Sequence, residues 1–222
     1  MSSTISLSDL PASFQRLAGA NIAAQSAEQL SLAATPIVAV LLLAAGPGEI
    51  GMLAAAQTLP FLLLSIPFGL IADRRSRRKL MAMAEVLRAV SLLGLTTAVV
   101  LAKLSIALLA ILGFVGAVGT VAFSVAAPAL VPALVPNALL ARANGWLELA
   151  RSLAFTAGPA LAGAMVSWTG AAPAFVLAAV LSGVSLVLLF GVREPGRTLC
   201  KPRHPLLELR SEERRVGKEC RL

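Results

Sequence analysis

The sequence predicts an all-α polytopic membrane protein with six transmembrane helices, and three observations support this fold class. Of its 222 residues, 58% are hydrophobic and only 14% are charged, with a mean hydropathy of +0.85. Soluble domains have about 25% charged residues. The apolar residues also form blocks long enough to cross a bilayer, which takes about 20 helical residues. Finally, most cations lie between these blocks or after the last one, where they can face water.

Each predicted span is an apolar segment close to or above the length that crosses a bilayer. The six spans run from Leu17 to Ala45, Ile50 to Ala72, Leu80 to Ala102, Leu104 to Ala127, Trp146 to Trp168 and Ala174 to Val192. Together they predict a transmembrane bundle over residues 17–192. Prolines inside the spans, such as Pro36 and Pro159, are compatible with this assignment because neighbouring helices in a membrane can satisfy the freed carbonyls.

The charges of the connecting loops predict the topology. Short loops rich in Lys and Arg remain on the cytoplasmic side of a membrane. If residues 1–16 are cytoplasmic, the two inside loops between spans hold six cations, and the outside loops hold only Lys103. This bias favours an even number of spans with both termini in the cytoplasm. We therefore expect a multi-pass protein of the bacterial plasma (inner) membrane, with residues 193–209 beginning a cytoplasmic linker.

The residues that carry catalysis or bind cofactors in other proteins are scarce here. His204 is the single histidine, and Cys200 and Cys220 both lie near the C-terminus. No nucleophile triad, metal-ligand cluster, phosphate-binding loop or dinucleotide motif occurs, so we predict no enzyme activity, metal or cofactor. The net charge of +8 does not indicate a nucleic-acid partner, because the cations lie in loops and the tail without interleaved aromatic residues.

The first span contains polar residues that an apolar helix would not need. Asn21, Gln25 and Glu28 are four and three residues apart, which places them on one helical face. A charged side chain near the centre of a membrane helix costs about 3 kcal/mol, so it should face a cavity or a partner. Two interpretations remain open. Glu28 is a substrate-binding or proton-coupling carboxylate, or it lies near the membrane edge and serves helix packing.

Two Glu–Arg pairs with the same spacing occur in the third and fifth spans. Glu85 and Arg88 are three residues apart, as are Glu148 and Arg151. Side chains at this spacing can form ion pairs along a helix. The favoured interpretation is an ion-pair network that holds helix ends together. The alternative is a switch that uses the same contacts differently in two conformations.

The loop after the second span carries a motif with a family resemblance. Its residues Gly69-x-x-x-Asp73-Arg74-x-Ser76-Arg77-Arg78 resemble the loop between helices two and three of major facilitator transporters, with Ser76 as the one departure. The resemblance implies that the chain is one six-helix half of a major facilitator fold, built as a 3+3 helix repeat. It also implies that Asp73 and the arginines form a cytoplasmic gate, a latch between the two halves of the transporter.

The fifth span carries a second motif, which resembles the antiporter signature of the same family. Its small residues are Gly145, Ala154, Gly158, Pro159, Ala162 and Gly163, with alanine replacing glycine at two positions. The signature is typical of exporters that exchange a drug for a proton, and ordinary close helix packing is the other interpretation. The surrounding sequence resembles the enterobactin-exporter and macrolide-efflux branch. The fourth span lacks the embedded arginine found in many proton-coupled members.

These resemblances imply a function. We expect a secondary active transporter that exports a small molecule, drug-like or siderophore-like, by alternating access. Its partners would be the lipid bilayer, the substrate and a missing C-terminal half. Residues 210–222 resemble an in-frame translation of a sequencing adapter, so we expect a non-native tail on a truncated gene model. The alternatives are a non-transporting membrane scaffold or accessory protein, and a half-transporter that acts as a homodimer.

Overall fold

The computed structural model describes residues 10–193, and within this range the chain forms six long α-helices and no strand. The helices are Ala12–Leu43 (α1), Pro47–Arg74 (α2), Arg77–Val100 (α3), Ile106–Leu134 (α4), Leu140–Thr169 (α5) and Ala171–Phe190 (α6). Each is long and apolar enough to cross a membrane, which confirms the predicted fold class. The start of the N-terminal segment, most of the predicted linker and the adapter-like tail lie outside the described residues.

The largest difference from the predicted spans is in the connection between α4 and α5. The predicted fourth span ends at Ala127 and the fifth begins at Trp146, but α4 continues through Pro128 and Pro132 to Leu134, and α5 begins at Leu140. Prolines remove backbone hydrogen bonds, yet here the turns around them are buried against neighbouring helices, as the full burial of Leu130 shows. Tertiary packing therefore extends α4 beyond the point where its local sequence suggests an end.

The packing of the helices has an internal symmetry. Helix α1 packs mainly against α5 and α6, whereas α4 packs mainly against α2 and α3, and α3 packs against α6. The contacts of α1, α2 and α3 are thus the same as those of α4, α5 and α6 when the two sets of three helices are exchanged. The bundle is therefore built from two equivalent three-helix units, as the predicted 3+3 repeat requires.

The core of the bundle has two apolar clusters with a polar layer between them. One cluster contains Phe14, Phe123 and other residues towards the α2–α3 loop, and the second contains Leu95, Phe175 and others towards the opposite end. Six buried polar side chains of α3, α4 and α6 lie between them along their helices: Glu85, Arg88, Ser91, Thr120, Ser182 and Ser185. Because polar side chains are unusual in the middle of an apolar bundle, this layer is the place to look for a functional site.

Candidate functional site

A cavity of about 680 Å³ opens at the level of the polar layer and is lined by residues of α1 to α5. Its apolar lining includes Phe61 of α2 and Phe155 of α5. Its polar lining includes Gln25, Glu28, Gln29, Gln57, Arg88, Thr120, Glu148, Arg151, Ser152 and Thr156. A concave, partly apolar site with a few polar groups is the usual form of a small-molecule site.

Helix α1 contributes one of the two carboxylates that line this cavity. Glu28 is half-buried and lines the cavity together with Gln25, about one helical turn before it, and Gln29, the next residue. The charged groups that act on it are Arg88, Glu85 and Arg151. Within residues 10–193, however, Glu28 forms neither a hydrogen bond nor an ion pair. The cavity therefore contains a carboxylate without a direct protein partner.

Asn21 is placed differently from the other polar residues predicted on this face. It is buried, it does not line the cavity, and its Nδ2 donates a hydrogen bond to the carbonyl of Leu147 at 3.2 Å. This contact ties α1 to α5 one turn or more away from the cavity. The structure therefore brings Gln25 and Glu28 together in the cavity wall and places Asn21 in a helix-packing contact.

Glu85 and Arg88 form an ion pair in the polar layer. Nη1 of Arg88 donates to Oε1 of Glu85 at 2.9 Å, and the two side chains are 4% and 0% exposed. Ser182 of α6 donates from its hydroxyl to the other carboxylate oxygen of Glu85. Both charges are therefore removed from solvent and paired within the bundle.

Arg88 also connects this ion pair to two further helices and to the cavity. It donates to the carbonyl of Ala24 in α1 at 3.1 Å and to Oγ1 of Thr120 in α4 at 3.0 Å. Its guanidinium carbon lies 5.9 Å from the centre of the Phe123 ring, within the range of a cation–π contact. The pair thus joins α1, α3, α4 and α6, and its cation contributes to the cavity wall.

Glu148 and Arg151 form the second ion pair, on the exposed part of the cavity lining. Nη2 of Arg151 donates to Oε1 of Glu148 at 2.7 Å, and Nε donates to the same oxygen at 3.1 Å. Their side chains are 61% and 62% exposed. The predicted pairing along each helix is thus present at both sites, but the surroundings of the two pairs are opposite.

The loop motif lies at the junction of α2 and α3. Asp73, with a side chain that is 72% exposed, lies 3.7 Å from the guanidinium of Arg77. Ser76 caps α3, since its Oγ accepts a hydrogen bond from the Lys79 N–H at 3.3 Å. Serine is a preferred N-cap residue, which gives the departure from the family pattern a local structural role. Arg74 is exposed.

Two arginines of the loop motif bind the ends of other helices. Arg77 donates to the carbonyl of Ala129 in α4, and Arg78 donates to the carbonyl of Val192 after α6 at 3.0 Å. The Val192 carbonyl lies just beyond the end of α6, where a helix favours cations, whereas the Ala129 carbonyl lies within the last two turns of α4. These contacts hold the α3 start against α4 and α6. A Cβ added at Gly69 would have open space around it.

The glycines of the helix-five motif differ in their surroundings. A Cβ added at Gly158 would lie 2.5 Å from the Cβ of Gln29, so α1 approaches α5 there as closely as glycine allows. Cβ atoms added at Gly145 or Gly163 would meet nothing within 4 Å, and Pro159 is exposed. In this bundle, Gly158 is therefore the motif glycine that a helix–helix contact requires.

Several lining residues were not singled out from the sequence. On helix α5, the side chains of Ser152, Phe155 and Thr156 continue at helical spacing the cavity-lining face that Glu148 and Arg151 begin. This 3–4 periodicity is visible in the sequence and could have identified the face. The contact of Ser182 with Glu85 had no such signal, because the two residues are 97 positions apart.

The described residues contain no group of three or more His, Cys, Asp or Glu side chains that could hold a metal ion. The cavity instead combines two carboxylates, two guanidinium groups, several amides and hydroxyls, and two aromatic rings. Such a set can bind an organic molecule through charge, hydrogen bonds and apolar contact.

Two solved structures have a similar fold. The POT family transporter PepTSo superposes with a TM-score of 0.65 and 16% identity, over 86% of this chain and 40% of that chain. A bacterial homologue of the human lysosomal transporter Spinster, in an inward-facing and unoccupied conformation, gives a TM-score of 0.63 and 17% identity, over 87% and 46%. At these identities, the similarity supports a shared fold.

Comparison of the amino-acid sequence also finds membrane transport proteins. Macrolide efflux protein A of Enterococcus faecalis is 26% identical over 134 residues, which are 59% of this chain and 42% of that protein. The protein of the same name from Streptococcus pyogenes is 26% identical over 134 residues, with 59% and 33% covered. The chain thus matches between a third and about two fifths of the length of these relatives. A family model described as Major Facilitator Superfamily matches residues 17–217. The chain therefore belongs to the Major Facilitator Superfamily of membrane transporters.

Proposed function

We propose that the chain supplies one six-helix half of a secondary transporter that exports a small organic molecule by alternating access. The observation that carries the proposal is the cavity of about 680 Å³, lined by five helices at the level of the polar layer. Transporters of this kind hold their substrate near the bilayer midplane, between two repeats that move against each other. In this proposal, the cavity is one wall of that substrate site.

We propose Glu28 as the residue that binds the substrate or a coupled proton. The charges around the cavity balance in pairs, since Glu85 pairs with Arg88 and Glu148 pairs with Arg151. Glu28 is left as the unpaired carboxylate of the lining. An ammonium group or a proton would neutralise it, and either is favourable in a site of low dielectric constant. A cationic substrate is thus the simplest chemical match.

We propose that the loop motif acts as a gate on the cytoplasmic side. The positive-inside bias favours that side for the loop and for both termini, in a bacterial plasma membrane. Asp73 and Arg74 are exposed, whereas Arg77 and Arg78 bind helix ends within the bundle. In the proposal, the exposed pair contacts a second six-helix half, and the other two arginines give the loop a rigid base.

The direction of transport and the first compound to test come from the relatives. The two proteins that match this chain are named as macrolide efflux proteins. We propose export, and macrolides, which carry both an amine and many oxygen atoms, as the first substrate class to test. The match to these relatives covers 59% of this chain and therefore does not extend over the whole helix bundle.

The test begins with the gene. Sequencing genomic DNA past the codon for Leu209 shows whether an open frame encodes six further spans. If it does, the full-length protein should lower the accumulation of a radiolabelled macrolide in bacteria that lack their own efflux pumps. Asp73→Asn and Glu28→Gln should abolish most of this effect, whereas Lys103→Gln, in the opposite loop, should not. Unchanged efflux in both acidic-site variants at equal membrane expression would refute the proposed roles.

The alternatives give different results in the same cells. A half-transporter acting as a homodimer would lower accumulation when the 222-residue chain is expressed alone, and two copies would cross-link in the membrane. A scaffold or accessory protein would leave accumulation unchanged in every form. A stop codon after Leu209 in independent clones would rule out truncation and favour one of these two.

A further inference from the structure

We propose that Gln25 and Gln29 form a hydrogen-bonding subsite for hydroxyl or carbonyl oxygen on the substrate, and that Gly158 sets its position. The inference rests on the proposed function of the cavity. It extends that function from charge to a second property of the substrate. The class of substrate it names is an organic ammonium ion with an oxygen function close to its nitrogen, such as an amino alcohol.

The first argument is the lack of protein partners for the two amides. Gln25 and Gln29 are each 7% exposed, and both line the cavity. Neither forms a hydrogen bond with another of the residues 10–193, in contrast to Asn21, whose amide donates to the Leu147 carbonyl. No amide atom of Gln25 or Gln29 is fully buried without a partner, so these atoms face the open cavity. A ligand oxygen or hydroxyl can therefore reach them and take the place of water as their hydrogen-bond partner.

The second argument is the arrangement of the amides around Glu28. Gln25, Glu28 and Gln29 are spaced three and one residues apart, so they lie on one face of α1 within about one helical turn. Each amide offers two N–H donors and one acceptor, and the carboxylate accepts from an ammonium group. Phe61 and Phe155 line the same cavity and can contact an apolar body. The set matches an amphiphilic amino alcohol.

The third argument is the contact that positions Gln29. A Cβ added at Gly158 would lie 2.5 Å from the Gln29 Cβ and 3.3 Å from its carbonyl carbon. The obstacle is thus close to the α1 backbone, so rotation of the Gln29 side chain cannot relieve it. Gly158 lets α1 lie against α5 with Gln29 at the cavity wall. Gly163, one turn further along, has no such contact.

Equilibrium binding to the purified 222-residue chain in lipid nanodiscs tests the subsite. The probes are propranolol, an amino alcohol, and its analogue without the hydroxyl group. We expect the wild-type chain to prefer propranolol by about tenfold, which corresponds to one satisfied hydrogen bond. Gln25→Leu and Gln29→Leu should lose this preference. Their melting temperatures should stay close to that of the wild type, because the substitutions remove no hydrogen bond to another of the residues 10–193.

Three results would overturn the inference. The first is equal affinity of the wild-type chain for the two probes, and the second is no saturable binding of either. The third is a preference that persists in both leucine variants, since the two amides would then not be the groups that recognise the hydroxyl. Binding requires no transport cycle. Loss of efflux with an intact preference therefore refutes the transport proposal alone, and absent preference with intact efflux refutes the subsite alone.

The role of Gly158 is tested with a matched pair of variants. Gly158→Ala should reduce the preference for propranolol several-fold, whereas Gly163→Ala should retain it, because its added methyl group meets open space. Both substitutions favour a helix locally, so propensity does not explain a difference. An equal preference in Gly158→Ala and Gly163→Ala would overturn the positioning role. If Gly158→Ala does not fold, an unaltered preference in Gln29→Leu would overturn it.

Discussion

The two Glu–Arg pairs of this bundle have the same spacing and opposite surroundings. Glu85 and Arg88 on α3 are 0% and 4% exposed, with 2.9 Å between carboxylate and guanidinium. Glu148 and Arg151 on α5 are 61% and 62% exposed, at 2.7 Å. The local geometry of the pairs is therefore almost equal. What differs is the number of other helices that bind them.

This difference means that the buried pair stabilises the bundle, whereas the exposed pair can change its partners. The buried pair accepts or donates hydrogen bonds with α1, α4 and α6, so it fixes four helices around the polar layer. Removing one member leaves a buried charge uncompensated, which is strongly destabilising. An exposed pair contributes little to stability because water and salt compete with it. Glu148 and Arg151 can thus exchange partners with a ligand at low cost.

The largest expected effect is on the buried cation. Arg88→Met should lower stability by about 3–5 kcal/mol, because Glu85 then remains buried without its partner. Arg151→Met should change stability by about 0–1 kcal/mol. Thermal unfolding of both variants in one detergent measures the difference. Equal melting temperatures would show that the pairs do not differ as argued.

Exchanging the members within each pair is the next test. In Glu85→Arg/Arg88→Glu, a carboxylate replaces the donor to the Ala24 carbonyl, and we expect a loss of about 3 kcal/mol from unmatched hydrogen bonds. The corresponding exchange of Glu148 and Arg151 should stay within about 0.5 kcal/mol, as for other surface substitutions. The same thermal assay serves here. Tolerance of both exchanges would mean that the surrounding donors and acceptors are unimportant.

A smaller effect is expected from the α6 hydroxyl. Ser182→Ala removes one hydrogen bond to the Glu85 carboxylate, and bonds to charged groups contribute about 1.5–3 kcal/mol. Ser167→Ala, at an exposed position of α5 where the hydroxyl bonds to its own helix, is the control. Its melting temperature should match the wild type. A Ser182→Ala protein as stable as this control would exclude α6 from the network.

Salt should produce the smallest effect, on the exposed pair only. Ions at 1 M reduce the range of charge interactions to about 3 Å, and buried pairs are screened much less. Raising NaCl from low concentration to 1 M should therefore remove any difference in stability between the wild type and Arg151→Met. The difference for Arg88→Met should remain. A buried-pair effect that disappears in salt would indicate that water reaches Glu85 and Arg88.

Much of the architecture could be predicted because it depends on local properties. Apolar length alone located six helices, and a spacing of three residues predicted the pairing of Glu85 with Arg88. The end of α4 could not be predicted, since the effect of Pro132 depends on what packs around it. The polar face of α5 could have been predicted, because its residues recur every three to four positions in the sequence.

The sequence by itself determined the membrane class, the six spans and the motifs that identify the family. These follow from hydropathy, loop charge and residue spacing, which need no knowledge of neighbouring helices. Only the tertiary structure decided which polar residues meet. It placed Asn21 against α5 and Glu28 in the cavity, and it buried one Glu–Arg pair while exposing the other. The physical reason is that burial depends on surfaces distant in the chain, and burial determines whether a charge stabilises the fold or binds a ligand.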